Sequence, residues 1–231
     1  MPGSIVATDL DGTLTRAETW RGLLAWLRVH RPSGAVRRFA WVRLPLVIAY
    51  RLGLYQKEAF RARWVRDLAG LLRGLDEADL AVAGEWVVEH HLWPARRTAV
   101  LDRVAGALTE ARLADPGAQL VLTTATYQPV ADAFARRIGA DLALATPLEL
   151  HQGIATGRVG SAVASGEQKA AGLRAHAAGA LIVAAFGDTA EDIPFLRLAA
   201  RAVAVSPDAG LRAAAAERGW EIVDDEGGST T

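Results

Sequence analysis

The sequence predicts an α/β fold: a Rossmann-like parallel sheet with an all-helical segment inserted after its first strand. Three observations predict it. The chain opens on a short apolar, β-branched run, Ser4 to Thr8, that ends in Asp9. Such a run, apolar on both faces, suits a central strand of a parallel sheet. From Arg16 to Pro94 the apolar residues recur only at helical spacing. From Ala95 onward strand and helix patterns alternate, which implies a parallel sheet with right-handed crossovers.

Each element has its own signal. Trp20, Leu23, Leu24 and Leu27 mark one helix face, and Arg31-Pro32-Ser33-Gly34 ends that helix. Phe39 to Leu54 is apolar and aromatic with interspersed arginines, and Lys57 to Leu72 reads as a helix. Asp76 is placed to cap a helix through Trp86 to Leu92, and Pro94 marks its boundary. A helix over Ala95 to Ala114 stops at Asp115-Pro116-Gly117. Leu120 to Thr123 is a strand, and Pro129 to Ile138 a helix closed by Gly139. Leu142 to Thr146 is a strand and Glu149 to Ala164 a hairpin. Gly166 to Ala178 is a helix, Leu181 to Phe186 a strand and Ile193 to Ala199 a helix. Ala202 to Val205, Ala209 to Arg218 and Trp220 to Val223 continue the alternation, and residues 224–231 form a frayed tail. The expected organisation is a core of residues 1–15 and 95–231 with a helical cap of residues 16–94.

Composition narrows the function classes. The chain has 231 residues, 26 basic and 26 acidic side chains, and no cysteine. Disulfide scaffolds and cysteine-based metal or redox sites are excluded, as is a uniformly basic nucleic-acid binder. No leader or spanning segment is read. The most membrane-like run, Leu44 to Tyr50, falls far short of the ~20 apolar residues of a spanning helix. The expected location is the cytoplasm. Gly153 to Ser161 lacks the Gly-Lys-Ser/Thr of a nucleotide-binding loop.

Four features fall at the carboxyl ends of predicted strands, where open α/β sheets place their ligands. Asp9 and Asp11, backed by Gly12 and Thr13, form an acidic cup. One carboxylate there can attack phosphorus, and the other can serve as acid and then base. Two anions so close imply a divalent cation with oxygen ligands, most naturally Mg²⁺. Thr124, in Leu122-Thr123-Thr124-Ala125-Thr126, offers a hydroxyl to a phosphoryl oxygen. Lys169, one of only two lysines, offers a compensating cation. Asp188, in Gly187-Asp188-Thr189-Ala190-Glu191-Asp192, is placed to ligate a cation, and Asp192 to serve as a helix-end acid or to support metal and lysine.

Together these residues resemble the four ordered motifs of the haloacid dehalogenase (HAD) superfamily of phosphohydrolases. The resemblance covers about residues 4–15 and 95–223. It implies a HAD core and an aspartyl-phosphate mechanism, with Asp9 as nucleophile and Asp11 as acid/base. Asp9, Asp11 (through its backbone carbonyl) and Asp188 would hold Mg²⁺. Thr124, Lys169, Gly12 and Thr13 would bind the phosphoryl group, with Asp192 in support. Asp11 favours phosphate-ester hydrolysis, since the dehalogenase branch lacks this second aspartate. The helical cap is similar to that of the phosphoserine-phosphatase-like subfamily IB, where Glu18 matches the spacing of a substrate-binding glutamate. Here Tyr127 stands in place of that group's Pro. The run Leu44-Pro45-Leu46…Tyr50, Gly53-Leu54 and Trp93-Pro94 also resembles the phosphatidylglycerophosphatase C-like branch.

The zero net charge conceals a division. Residues 16–66 carry +10, residues 1–15 carry −2 and residues 67–231 carry −8. Residues 16–66 also hold Trp20, Trp26, Trp41 and Trp64. Arginine with tryptophan suits an anionic membrane surface. An arginine-rich cap that packs on itself, and a field that draws in a soluble anion, fit the same pattern. The expected substrate is therefore an anionic phosphate ester, lipid-linked at the cytoplasmic membrane face. A small soluble metabolite, a phosphotransfer reaction and a non-enzymatic binding module stand as alternatives. No nucleic-acid partner is expected, and the oligomeric state is left open.

Overall fold

A computed structural model of the chain describes residues 3–31, 34, 36, 38, 39, 41, 42 and 57–224. The run Leu44 to Tyr50 and the tail beyond residue 224 lie outside these residues.

Six strands form one parallel sheet in the order β3-β2-β1-β6-β7-β8. They are β1 (Ile5–Thr8), β2 (Gln119–Tyr127), β3 (Leu142–Thr146), β6 (Ile182–Gly187), β7 (Ala199–Val205) and β8 (Glu221–Val223). A two-stranded antiparallel hairpin, β4 (Leu148–His151) and β5 (Ile154–Val159), stands apart from it. The core helices are α4 (Thr98–Ala114), α5 (Gln128–Ile138), α6 (Gly166–Ala177), α7 (Ile193–Leu196) and α8 (Ala209–Arg218). Between β1 and α4 the described residues form no strand; their regular elements include the helices α1 (Thr19–His30), α2 (Lys57–Ala69) and α3 (Glu77–Val87), the last followed by a π-helical turn over Val88–Leu92.

Strand alternation sorts the apolar side chains onto two faces. Val6, Leu120, Leu122 and Phe186 pack with Val104 and Leu108 of α4 and Phe134 of α5. Ile5, Ala7, Val121 and Ala185 pack with Leu173 of α6, Phe195 of α7 and Leu211 of α8. Both faces of β1 are therefore sealed, as its uninterrupted apolar sequence requires. The chain runs from β1 outward to β2 and β3, then returns to the other side of β1 as β6. The crevice at this reversal opens at the carboxyl ends of β1 and β6, held in register by Asp9 N–H donating to the Phe186 carbonyl at 2.9 Å.

The two crossings between sheet and insertion lie side by side. Arg16 N–H donates to the Ala95 carbonyl at 2.9 Å, and Arg97 N–H to the Leu14 carbonyl at 2.8 Å. The Thr15 hydroxyl donates to the Leu92 carbonyl at 2.8 Å. Hairpin β4–β5 makes a second link: Ala155 exchanges backbone bonds with Gly74 and Leu75, and Arg73 Nε donates to the Thr156 carbonyl.

Most elements match the sequence reading, and Asp76 caps α3 by accepting from Asp79 N–H at 2.7 Å. Three differ. Strand β2 runs on to Tyr127 instead of ending at Thr123. Its β-branched threonines suit an extended backbone, and Thr123, Thr124 and Thr126 are all buried. The helix expected over Ile193 to Ala199 is one turn, Ile193–Leu196. The alanines after it pair with β6 from Ala199 onward, because pairing along a strand that is buried from Ala202 on outweighs the helical preference of alanine. The hairpin expected over Glu149 to Ala164 is shorter, turning at Gln152 and Gly153, both with positive φ.

Candidate active site

Asp9 leaves the end of β1 and is 5% exposed. Its Oδ1 accepts from Lys169 Nζ at 2.8 Å, and its Oδ2 faces the Thr13 hydroxyl at 3.5 Å. The Thr13 hydroxyl also lies 3.2 Å from Asp188 Oδ1. Lys169 comes from the first turn of α6 and reaches Asp192 Oδ1 at 2.6 Å. Asp192 in turn accepts from the backbone N–H groups of Asp188 and Thr189, both at 3.0 Å. The segment after β6 is thereby folded around one buried carboxylate.

Glycines allow two close approaches. Gly12 has φ +91°, and a Cβ there would lie 2.0 Å from Asp188 Oδ2. At Gly187 a Cβ would lie 2.7 Å from the Asp192 Cβ. Side chains at either position would separate the carboxylates that these turns bring together.

The electrostatics follow from burial. Burial pushes the Asp9 carboxyl above the ordinary carboxylate range, and Asp192 adds to the rise while Lys169 opposes it. Burial also acts against the Asp192 anion, but Lys169 and the two backbone N–H groups hold it below that range. Burial acts against the Lys169 ammonium, yet Asp192 and Asp9 together hold it above the usual lysine range.

Carboxylate oxygens of Asp9, Asp188 and Asp192 all lie within 4.8 Å of one another. The donors are hard oxygens, and this set fits a divalent cation such as Mg²⁺. Within it, Asp192 is committed to Lys169 and to backbone N–H groups, so Asp9 and Asp188 are the carboxylates that would hold such a cation. The Asp11 side chain is not in this set. Its Oδ1 accepts from the Thr19 hydroxyl at 2.6 Å and from Thr19 N–H at 3.2 Å.

A cavity of about 580 Å³ joins these groups. Asp9, Asp11, Gly12, Thr124, Lys169 and Asp188 line its core side, beside Ser165 and Gly166. Trp20, Leu23, Trp64, Val65 and Leu68 line the inserted-helix side, and Tyr127 lies at the junction. The Trp20 and Trp64 rings meet edge to face at 5.3 Å. Glu18 also lines the cavity and pairs with Arg21 at 2.6 Å. Thr124 is buried, and its Oγ1 accepts from Thr126 N–H at 3.3 Å.

Of the residues singled out from sequence, Asp9, Asp11, Gly12, Glu18, Thr124, Lys169 and Asp188 therefore meet at one cavity. Thr13 and Asp192 lie behind it. Sequence reasoning left out Thr19, Trp20, Trp64 and Tyr127 as cavity residues. It also left out Arg97, whose Nε donates to the Gly12 carbonyl at 3.1 Å. Thr19, a hydroxyl residue at the first position of a helix, carried a readable signal, whereas Arg97 carried none.

The family model for haloacid dehalogenase-like hydrolases matches residues 6–197. The chain belongs to this family. It is 35% identical over 172 residues to phosphoserine phosphatase SerB1 of Mycobacterium tuberculosis, covering 69% of this chain and 51% of that protein. The chain spans about half the length of the curated relatives it matches first. Among solved structures, a protein of unknown function from Bordetella pertussis aligns at TM-score 0.76 and 27% identity, over 96% of this chain and 99% of the other. A probable phosphoserine phosphatase from Vibrio cholerae shares the fold at TM-score 0.61 and 20% identity, over 91% of this chain and 58% of the other.

Proposed function

We propose that this HAD-family hydrolase cleaves phosphate monoesters through an aspartyl-phosphate intermediate. The observation that carries the reading is Asp9. It is a buried carboxylate at the floor of the cavity, with Lys169 on one oxygen and Asp11 two residues away. An Asp9 oxygen attacks phosphorus as the bond to the leaving oxygen breaks, and Asp11 donates a proton to that oxygen. Water then attacks the aspartyl-phosphate, Asp11 accepts its proton, and phosphate leaves with the Asp9 carboxylate restored. Lys169 and Thr124 bind the phosphoryl oxygens and Asp192 holds Lys169 in place. Gly12 admits the phosphoryl group beside the backbone, and Thr13 orients Asp9 and Asp188. Asp9 and Asp188, with the Asp11 backbone carbonyl, would hold Mg²⁺. When bound, the ion supplies positive charge against the phosphoryl oxygens.

Residues 16–94 act as the cap in this reading and residues 1–15 and 95–231 as the catalytic core. The cap wall of Trp20, Leu23, Trp64 and Val65 favours an apolar leaving group. Arg16, Arg21, Arg28, Arg31, Arg63 and Arg66 are exposed on the inserted segment, as is Trp41, which supports an anionic, lipid-linked ester at the cytoplasmic membrane face. Among the described residues no helix is long and apolar enough to cross a membrane. A small soluble ester is the second reading, favoured by Glu18 in the cavity wall and by the relative named phosphoserine phosphatase.

Phosphate release from a panel of lipid and soluble esters tests the activity, and release from none of them would refute it. Co-sedimentation with anionic vesicles at low salt separates the two substrate readings. Protein left in the supernatant would remove the lipid reading.

A further inference from the structure

We propose that Ser165, with the first N–H groups of α6, is a further binding element for the phosphoryl oxygens. The proposal rests on the phosphatase reading above and adds a residue to it. Ser165 is the N-terminal cap residue of α6, four residues before Lys169, and both line the cavity. It is 7% exposed. A serine at such a position ordinarily engages its side-chain oxygen with an N–H of its own helix. Asp76 and Asp208 do so at the starts of α3 and α8. The Ser165 side chain makes no cap bond. Only its carbonyl serves the helix, accepting from Gln168 N–H at 3.0 Å and Lys169 N–H at 3.4 Å. Among the described residues the Ser165 hydroxyl has no hydrogen-bond partner. It is thus a buried polar group at the cavity wall whose bonding capacity the fold does not use.

Its surroundings select the class of ligand. The N–H groups of Gly166 and Glu167 open α6 and have no partner within the helix. Gly166 also lines the cavity. The positive end of the 12-residue α6 lies here. The hydroxyl, these N–H groups and the Lys169 ammonium are all donors at one wall, which suits an oxyanion. On the core side of the cavity the oxyanion of the reaction is the phosphoryl group that Asp9 attacks.

The donors already assigned to that group are few. An ammonium has three N–H groups. Lys169 directs one to Asp9 at 2.8 Å and one to Asp192 at 2.6 Å, so one remains for a substrate. Thr124 adds one hydroxyl. A transferring phosphoryl group spreads its charge over three oxygens. Ser165 supplies a further hydrogen bond to them without disturbing the contacts that Lys169 makes with the two carboxylates.

The test uses inorganic phosphate as the probe. Ser165→Ala removes a hydroxyl that bonds nothing in the fold, so the thermal midpoint should stay within about 2 °C of wild type. By calorimetry in the presence of Mg²⁺, the Kd for inorganic phosphate should rise on the order of 10-fold, the scale of one hydrogen bond to a charged group. kcat/KM should fall on the order of 10-fold, and equally, for 4-nitrophenyl phosphate and benzyl phosphate, since the phosphoryl contact is common to both. If Ser165→Ala gives no cooperative melt, Ser165→Gly, which helix caps tolerate, carries the comparison. Unchanged phosphate affinity would overturn the role of Ser165 and leave the phosphatase reading intact. So would a loss of kcat/KM confined to one ester, which would place the hydroxyl on the leaving group. A wild type that neither binds phosphate nor releases it from any ester would overturn both.

Discussion

The Lys169 ammonium lies 2.6 Å from Asp192 Oδ1, with the two side chains 4% and 1% exposed. Neither charge can be hydrated, so each depends on the other. Breaking a buried pair outright costs about 3–5 kcal/mol, and a lysine that keeps a second carboxylate, as Lys169 keeps Asp9, loses about the lower end of that range. Asp192→Asn should therefore lose about 3 kcal/mol of stability in urea denaturation at pH 7. The pH dependence has a definite sign. Lys169 and two backbone N–H groups hold Asp192 below the ordinary carboxylate range, against its burial. Its contribution is complete above about pH 4 and disappears as pH falls through its folded value. Asp9, held high, works in the opposite sense in both proteins. The stability gap between wild type and variant should thus narrow as pH is lowered from 5 toward 3. A gap unchanged with pH would refute the account.

Asp9→Asn should abolish turnover and keep the fold. The amide is nearly isosteric but cannot become an acyl-phosphate donor in the same way, so the loss should be on the order of 10³-fold or more. The same assay tests the cation: EDTA should stop phosphate release and excess Mg²⁺ should restore it. A variant with wild-type kcat, or a wild type indifferent to chelator, would each contradict its part of the mechanism.

How far the sequence could be read depended on whether a signal was local. Asp9, Asp11, Thr124, Lys169 and Asp188 were visible because each sits in a short run attached to a strand or helix with its own periodicity. The parallel sheet followed from the same alternation. The strand order, the extension of β2 to Tyr127 and the short α7 were not legible. They depend on which neighbour buries an alanine or threonine, and single residues carry no such information. The direction of the Asp11 side chain was hidden for the same reason. Its partner, Thr19, stands eight residues away on a helix whose placement is a tertiary fact. Likewise Trp20 and Trp64 could be assigned to helices, but only packing brings them together at the cavity.

Gly12 provides a steric test of the site. A methyl group there would lie 2.0 Å from Asp188 Oδ2, and the φ of +91° disfavours any L side chain. Gly12→Ala should displace Asp188 from Asp9 and weaken the cation site. Turnover should fall by more than about tenfold at fixed Mg²⁺, with a higher Mg²⁺ concentration for half-maximal rate, as expected when a ligand is misplaced. Unchanged turnover with an unchanged Mg²⁺ requirement would show that the close approach is not needed.

Tyr127 ties the end of β2 to the inserted helices, since its hydroxyl donates to the Val65 carbonyl of α2. The phenol is 3% exposed. Burial, with Asp67 adding to it, holds the hydroxyl in its neutral form well above the ordinary tyrosine range. For a group whose folded pKa is raised, the contribution is complete below the unfolded value of about 10 and fades as pH rises beyond it. Tyr127→Phe removes one buried hydrogen bond and should cost about 1 kcal/mol at pH 8. Above pH 10 the wild type pays for keeping this phenol protonated while the variant does not. The stability difference should shrink between pH 8 and pH 11 and can be followed by urea denaturation at each pH. A difference that stayed constant across this range would mean that Tyr127 meets water in the folded protein, and that β2 and α2 are not sealed together at this point.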